Sequence, residues 1–291
     1  MHPFHRTELI VGQHGFARLQ QARMMVVGLG GVGSWAVEAL ARAGVGTLTL
    51  VDFDDVCLTN LNRQLHATRR TVGASKAALM AERVRAINPK ARVVCEQIFY
   101  DADTSERLLA EPQDAVLDCI DNVTAKVHLL ATCHARGQRV WSAMGAGGRI
   151  DPTRARITDL SRTQKDPLAR VVRKELRRLG ITRGIECAWT DEEPNVLDAD
   201  VEAAFRCICP TTNDKHSCDS RNVVQGTVPW VPAIFGMMMA GAAVNRLLAR
   251  PVLSADRDAV TPTPAGDVRL DLRPDPAGHA CGSCDDHGEA P

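Results

Sequence analysis

The feature that most constrains the fold is Gly28-Leu-Gly30-Gly31-Val-Gly33, set between an apolar run, Met24 to Val27, and a stretch with helical periodicity, Ser34 to Ala43. A second apolar run, Thr47 to Asp52, follows. This succession of strand, glycine turn, helix and strand reads as a βαβ unit. Glycines let the backbone approach an anion, while the start of the helix offers N–H groups that lack partners within the helix. Asp52 ends the second strand, 19 residues after Gly33. A carboxylate in that place accepts hydrogen bonds from ribose hydroxyls, so the unit reads as a nucleotide site. The plainer alternative is a turn whose glycines only pack helix on strand.

The alternation continues. A helix fits Ala74 to Ile87, with Met80, Val84 and Ile87 on one face and Asn88-Pro89 as its stop. Then come a strand over Arg92 to Glu96, a polar helix over Thr104 to Ala110, a strand over Ala115 to Asp118, a helix over Ala125 to Arg136 and a strand over Arg139 to Ser142. Such an order predicts an α/β, doubly wound, Rossmann-like and mostly parallel sheet with an irregular C-terminal extension. With 291 residues, 45% of them hydrophobic, a substantial core is attainable. The expected division is one unit over residues 1–250, irregular from about 145, and a mobile tail over 251–291. That tail holds six of the fifteen prolines and no aromatic residue, a composition that cannot build a core.

Thirty-five Lys and Arg balance thirty-five Asp and Glu, so any affinity for nucleic acid must be local. Arg162, Lys165, Arg170, Arg173, Lys174, Arg177, Arg178 and Arg183 form a basic region read as a helix for phosphate-backbone contact, with a solvated face as the alternative. An acidic run from Glu186 to Glu202 follows it. Ala233 to Leu248, preceded by Pro229 and Pro232, is an almost wholly apolar helix. Its end carries Asn245 and Arg246 and it has no basic flank, so it is expected to bury itself in a homodimer and not in a membrane. With no apolar leader near Met1, the expected location is cytoplasmic.

Behind the glycine turn come Asp54, Asn60, Arg63, Gln64 and Lys76. Each alone reads equally as a surface group, but two cations grouped behind a nucleotide loop suit a triphosphate, whose departing pyrophosphate gathers negative charge. Asp118-Cys-Ile-Asp121-Asn122 lies at a strand's carboxyl end, the crevice where such sheets bind ligands, and a carboxylate there can hold Mg²⁺ against the phosphates. Competing readings are an NAD(P) oxidoreductase, which has no use for Arg63 or Lys76, and a nucleotide-binding scaffold without chemistry.

The stretch from Gly28 to Gln64, then Val72-Gly-Ala-Ser-Lys-Ala77, then Asp118-Cys-Ile-Asp-Asn122 resembles the E1-like adenylating enzymes, which activate ubiquitin and bacterial sulfur-carrier proteins. Gly145-Ala-Gly-Gly-Arg-Ile-Asp151-Pro-Thr, Ile157-Thr-Asp-Leu-Ser and Asp166-Pro-Leu are similar to the tRNA threonylcarbamoyladenosine dehydratase branch. The resemblance covers roughly residues 6–250. It implies ATP-dependent activation of the threonyl carboxylate of the modified adenosine at tRNA position 37 as an acyl-adenylate, then ring closure with net loss of water. It also implies that Gly28, Gly30, Gly31 and Gly33 hold phosphates, Asp52 the ribose, and Asp54, Asn60, Arg63 and Lys76 the triphosphate. Asp121 is implied as the magnesium-associated carboxylate, and Arg6 as an arginine that reaches the partner subunit's site. Implied partners are tRNA, a second copy of the chain and a sulfur-transfer protein. The rival within the superfamily adenylates the C-terminal glycine of a ubiquitin-like sulfur carrier.

Such carrier activators usually hold structural zinc with two Cys-x-x-Cys pairs. Here Cys207, Cys209, Cys218, Cys281 and Cys284 offer one such pair, an incomplete set. Cys218 is read as an exposed thiol or a sulfur-accepting one, and Cys57, Cys95, Cys119 and Cys133 as small core residues.

Overall fold

A computed structural model describes residues 2–195 and 226–249 of the chain. The strands are β1 (Arg23–Val27), β2 (Thr47–Val51), β3 (Arg92–Glu96), β4 (Ala115–Asp118), β5 (Val140–Ala143), β6 (Ala155–Asp159) and β7 (Glu186–Thr190). The helices are α1 (His5–Gln21), α2 (Gly33–Ala43), α3 (Lys76–Ile87), α4 (Ala102–Leu108), α5 (Val123–Ala135), α6 (Pro167–Arg178) and α7 (Trp230–Leu247). One sheet runs β3-β2-β1-β4-β5-β7-β6, every neighbouring pair parallel except β6 with β7. Strands β2 and β3 step away from β1 on one side and β5 from β4 on the other, with β7 and then β6 beyond it. The crevice of a doubly wound sheet therefore opens where β1 and β4 end.

Alternation along each strand divides the core into two layers. Met24 and Val26 of β1 face α2, α3 and α7 with Leu48, Leu50, Leu117 and Trp141, whereas Met25 and Val27 face α5 and α6 with Val116, Val140 and Cys187. Local chemistry starts most of the connecting helices. Ser75, Asn122 and Asp166 each accept a hydrogen bond from the backbone three residues on, and Asp101 and Thr104 cap α4 reciprocally. Helix α2 ends at Gly44, whose φ of 88° is left-handed.

The structure adds two features to the sequence reading. Between residues 155 and 190, β6, α6 and β7 extend the sheet with an antiparallel edge; β6 is only partly buried, which blurs its apolar alternation. Helix α1, which the periodicity does not announce, precedes β1 and is kinked at Gly12.

Helix α7 is buried, but within the chain. Val231, Phe235, Met239, Ala240, Ala243 and Leu247 join the same core layer as α2, so this face of the helix is covered within the chain. The cause is a backbone approach that only glycine permits: a Cβ on Gly236 would lie 2.3 Å from the Val32 carbonyl oxygen and 2.9 Å from the Ala36 nitrogen. Trp230 and Met237 stay exposed on its outer side. Among the described residues no helix is long and apolar enough to cross a membrane.

The basic region also divides. Helix α6 covers 167–178 and buries Ala169, Val172 and Leu176. Arg173 folds back to donate to the carbonyls of Leu160 and Thr163 and to the Thr163 hydroxyl, and Arg178 pairs with Glu175. Lys174 and Arg177 remain exposed on its outer face. Cys57 and Cys133 are core thiols as expected, and burial pushes Cys133 up to about 12; Cys95, on the edge strand β3, is exposed instead. Cys207, Cys209, Cys218, Cys281, Cys284 and the tail 251–291 lie outside the described residues.

Gly236→Ala should lower stability by about 1–3 kcal/mol through overpacking. Gly241→Ala, one turn on with nothing within 4 Å of its Cβ position, should be neutral or slightly stabilising. Thermal melts of the two variants check this; equal melting temperatures would remove the close α2–α7 contact.

Candidate nucleotide site

The glycine turn between β1 and α2 is shaped by backbone crowding. Gly28 has φ of 88°, and a Cβ there would stand 2.7 Å from the Cys119 carbonyl oxygen; one on Gly33 would stand 1.8 Å from the Gly28 oxygen. The turn therefore lies directly on the segment that leaves β4, which brings the Asp118–Asn122 connection beside it. A Cβ on Gly31 would touch Arg63 Cγ and Pro232 Cβ, both at 3.3 Å, and one on Gly30 would meet Gln64 Nε2 at 3.8 Å. The loop after β2 and the first turn of α7 thus bracket the glycines. Helix α2 starts without a side-chain cap, and Ser34 Oγ instead donates to the Gly30 carbonyl at 2.7 Å and accepts from Leu65 N at 3.2 Å. The positive end of the helix dipole is left facing the crevice, an arrangement suited to phosphate.

Asp52 ties this turn to the next. Its Oδ2 accepts from Leu29 N at 2.6 Å and its Oδ1 from Asp54 N at 2.8 Å. Burial raises the carboxyl above its ordinary range, against the opposing pull of Lys76. Lys76, the first residue of α3, is buried and donates from Nζ to Asp54 Oδ2 at 2.6 Å. A buried ammonium group with a half-exposed carboxylate partner is a fixed charge that an incoming phosphate can share.

The remaining sequence-predicted residues differ in how close they come. Asn60 is buried and its Oδ1 accepts from Cys57 N at 3.0 Å, so it shapes the loop after β2. Arg63 lies along Gly31 and donates to the Thr59 carbonyl at 2.9 Å and to Asn62 Oδ1 at 2.8 Å, while its own carbonyl accepts from Trp35 Nε1. Asp121 is exposed in the connection that rests on Gly28, and a carboxylate is the ligand type that a hard cation such as Mg²⁺ takes. Arg6 is not brought to the site of its own chain. It is exposed on α1, two residues from Phe4, whose ring sits by Gly44 at the far end of α2.

The sequence reading misses the support beneath the site. Lys126 of α5 has no exposed surface; its Nζ donates to Asp118 Oδ2 at 2.6 Å, Ser142 Oγ at 3.2 Å and the Ala143 carbonyl at 3.0 Å. Ser142 Oγ donates to the same Asp118 oxygen at 2.6 Å, and Asp118 Oδ1 accepts from Ile120 N at 3.1 Å. The only sequence signal is a lysine among the apolar residues of α5. A second buried pair joins two of the three dehydratase-like motifs: Arg149 Nη2 lies 3.4 Å from Asp166 Oδ2, which also accepts from Gly145 N at 3.0 Å. Burial lowers the Arg149 guanidinium from its ordinary value, with Asp166 and Glu192 opposing.

His66, in the loop after Gln64, is buried and neither ring nitrogen meets a protein partner. Burial and then the Lys76 charge lower its imidazole to about 4. Since the folded value is depressed, the unfolded chain takes up the proton first, and stability is lost as pH falls below the ordinary histidine value towards about 4. Between about pH 7 and about pH 5, urea melts should show a fall about 2 kcal/mol larger for the unsubstituted chain than for His66→Phe. Equal falls in the two proteins would remove His66 from the acid response.

Comparison with known proteins gives a consistent picture. The ThiF family model matches residues 5–264. The tRNA threonylcarbamoyladenosine dehydratase of Bacillus subtilis is 41% identical over 248 residues, 85% of this chain and 95% of that protein. Its namesake from Escherichia coli is 37% identical over 254 residues, 85% of this chain and 94% of the other. A crystal structure of the E. coli tRNA N6-threonylcarbamoyladenosine dehydratase in complex with ATP matches with a TM-score of 0.73 at 35% identity, covering 85% of this chain and 94% of that one.

Proposed function

The chain belongs to the ThiF family of E1-like adenylating enzymes, and on that premise we propose that it activates the threonyl carboxylate of N6-threonylcarbamoyladenosine at position 37 of tRNA. In this reading ATP supplies the adenylyl group, and Mg²⁺ neutralises its phosphates. The substrate carboxylate bonds to the α-phosphorus as the bond to pyrophosphate breaks. Closure of the ring at the activated carbonyl then releases AMP with the former carboxylate oxygen, so that water is lost in net terms.

The observation that carries the adenylation is the buried Lys76 at the start of α3, bonded to Asp54 and acting on Asp52, whose carboxylate also holds Leu29 N in the turn that leads to the uncapped start of α2. A nicotinamide site has no need of a fixed ammonium group there, whereas charge building on a departing pyrophosphate does. The glycines admit the phosphates to the helix terminus, and Asp52, held by Leu29 N and Asp54 N, is the ribose acceptor. Arg63 lies alongside Gly31 as a second cation, Asn60 keeps that loop in shape, and Asp121 is the carboxylate for Mg²⁺. Support for the tRNA substrate comes from relatives of that name, similar over 85% of the chain, and from the Arg149–Asp166 pair that joins the motifs resembling them. A second copy of the chain is the expected partner that brings Arg6 to the site, and a sulfur-transfer protein is a further expected partner.

ATP consumption measured with threonylcarbamoylated and with unmodified tRNA tests the reading: turnover with the first alone is expected, and turnover with neither, or with both alike, defeats it. Lys76→Ala should reduce turnover by about 10²–10³-fold while ATP affinity falls less, because the fixed charge acts mainly on the developing pyrophosphate. Unchanged turnover would remove Lys76 from the phosphate site.

Contact with the RNA backbone is assigned to the outer face of α6. Each phosphate contact releases condensed counterions, so Lys174→Ala/Arg177→Ala should flatten the salt dependence of tRNA binding by about one to two in log–log slope. Salt titrations of the pair against the unsubstituted chain measure this; identical slopes would make the helix an ordinary solvated surface.

A further inference from the structure

His2 and the first turn of α1 place three metal-ligating side chains together, away from the glycine turn. Glu8 Oε2 lies 2.9 Å from His2 Nε2 and 3.3 Å from His5 Nδ1, and the three ligand atoms all fall within 4.8 Å of one another. Two imidazoles and a carboxylate are a donor set that zinc accepts, with water filling the fourth position. Around a tetrahedral ion with bonds of about 2.0–2.1 Å, neighbouring ligand atoms stand about 3.3 Å apart. Both separations to Glu8 lie within about half an ångström of that spacing, and the two histidine nitrogens, within 4.8 Å of each other, would close by up to about 1.5 Å on the ion.

The cluster is held in place by packing. His5 and Glu8 share one helix face at a spacing of three. The His2 ring stacks on Phe16 at 4.9 Å and meets the His5 ring edge-on at 5.9 Å. Phe16 is a core residue, so the His2 ring rests against the folded body. All three side chains retain solvent access, with relative exposures of 39%, 41% and 23% for His2, His5 and Glu8.

We infer that His2, His5 and Glu8 form a binding site for a divalent ion of the zinc class, which ties the segment before α1 to the first turn of that helix. Binding requires both imidazoles to be neutral with their lone pairs on the ion. For His2 this moves the remaining ring proton to Nδ1, and the 3.2 Å hydrogen bond in which Phe4 N donates to that nitrogen is given up. The metal bond from Nε2 takes its place in orienting the ring. Arg6 lies between His5 and Glu8 on the same turn, so the ion also fixes the segment that presents it. The site stands on its own geometry and does not depend on the adenylation reading.

The test is a titration of the full chain with Co²⁺, repeated with Zn²⁺ in competition, on the unsubstituted protein and on His5→Gln and Glu8→Gln. One ion per chain is expected, with the visible d–d bands of a nitrogen and oxygen site and without sulfur charge transfer. That spectrum separates it from any ion held by the cysteines. Each variant should lose this signal or weaken binding at least about tenfold, while circular dichroism shows the fold unchanged. The zinc-dependent rise in melting temperature should vanish with it. Absence of the signal in the unsubstituted chain, or equal binding by the variants, would leave the cluster a hydrogen-bonded start to a helix and overturn the site.

Discussion

Lys126 sits on α5 but spends its three protons on Asp118, Ser142 and the Ala143 carbonyl, groups that end β4 and β5. An ammonium group without exposed surface survives only where each proton has an acceptor and a carboxylate balances the charge. Removing one member strands the other, at a cost of about 3–5 kcal/mol. What the pair determines is position. Asp118 Oδ1 holds the Ile120 nitrogen, and the same segment lies under Gly28, so the place where the sheet divides and the glycine turn share one foundation.

Above it, Asp52 serves as a second tie. Because its two oxygens accept from Leu29 N and Asp54 N, the turn after β1 and the turn after β2 move as one piece. Asp54 in turn holds Lys76 at the start of α3. The ends of β1 and β2 and the start of α3 are thereby linked through carboxylates, so the cation and the open helix terminus are positioned before any ligand arrives. Preorganised charge of this kind costs little reorganisation during a reaction.

The sequence makes the repeating part of this fold plain. The strands from Met24 to Ser142 are short apolar runs separated by glycine, proline and asparagine stops, and their connecting helices carry their own caps, so local chemistry and the final structure agree. The acid, amide and cations behind the glycine turn are legible for the same reason: they follow a strand whose end is recognisable. What escapes is long-range. Nothing local tells that Gly236 meets Val32, so an all-apolar helix reads as a surface awaiting a partner when its cover lies some two hundred residues earlier in the chain. Arg173 looks like one more surface cation until Leu160 and Thr163 take its guanidinium. The partners of Lys126 stand 8 and 16 residues away on two strands, and a lysine in an apolar helix carries no mark of either.

The last pair of strands bears on how the molecule behaves in a crowded solution. A parallel sheet can be lengthened by adding further strand and helix units, and its outermost backbone groups are a template for other chains. Here β6 runs against β7, and its edge carries arginines: Arg154 and Arg156 both pair with Asp191, and Arg156 lies over the Trp189 ring at 5.5 Å from its centre. A foreign strand approaching that margin would have to strip water from guanidinium groups already engaged with a carboxylate. Among the described residues, the reversal of one strand and the charges beside it thus make that flank of the sheet a poor seed for aggregation.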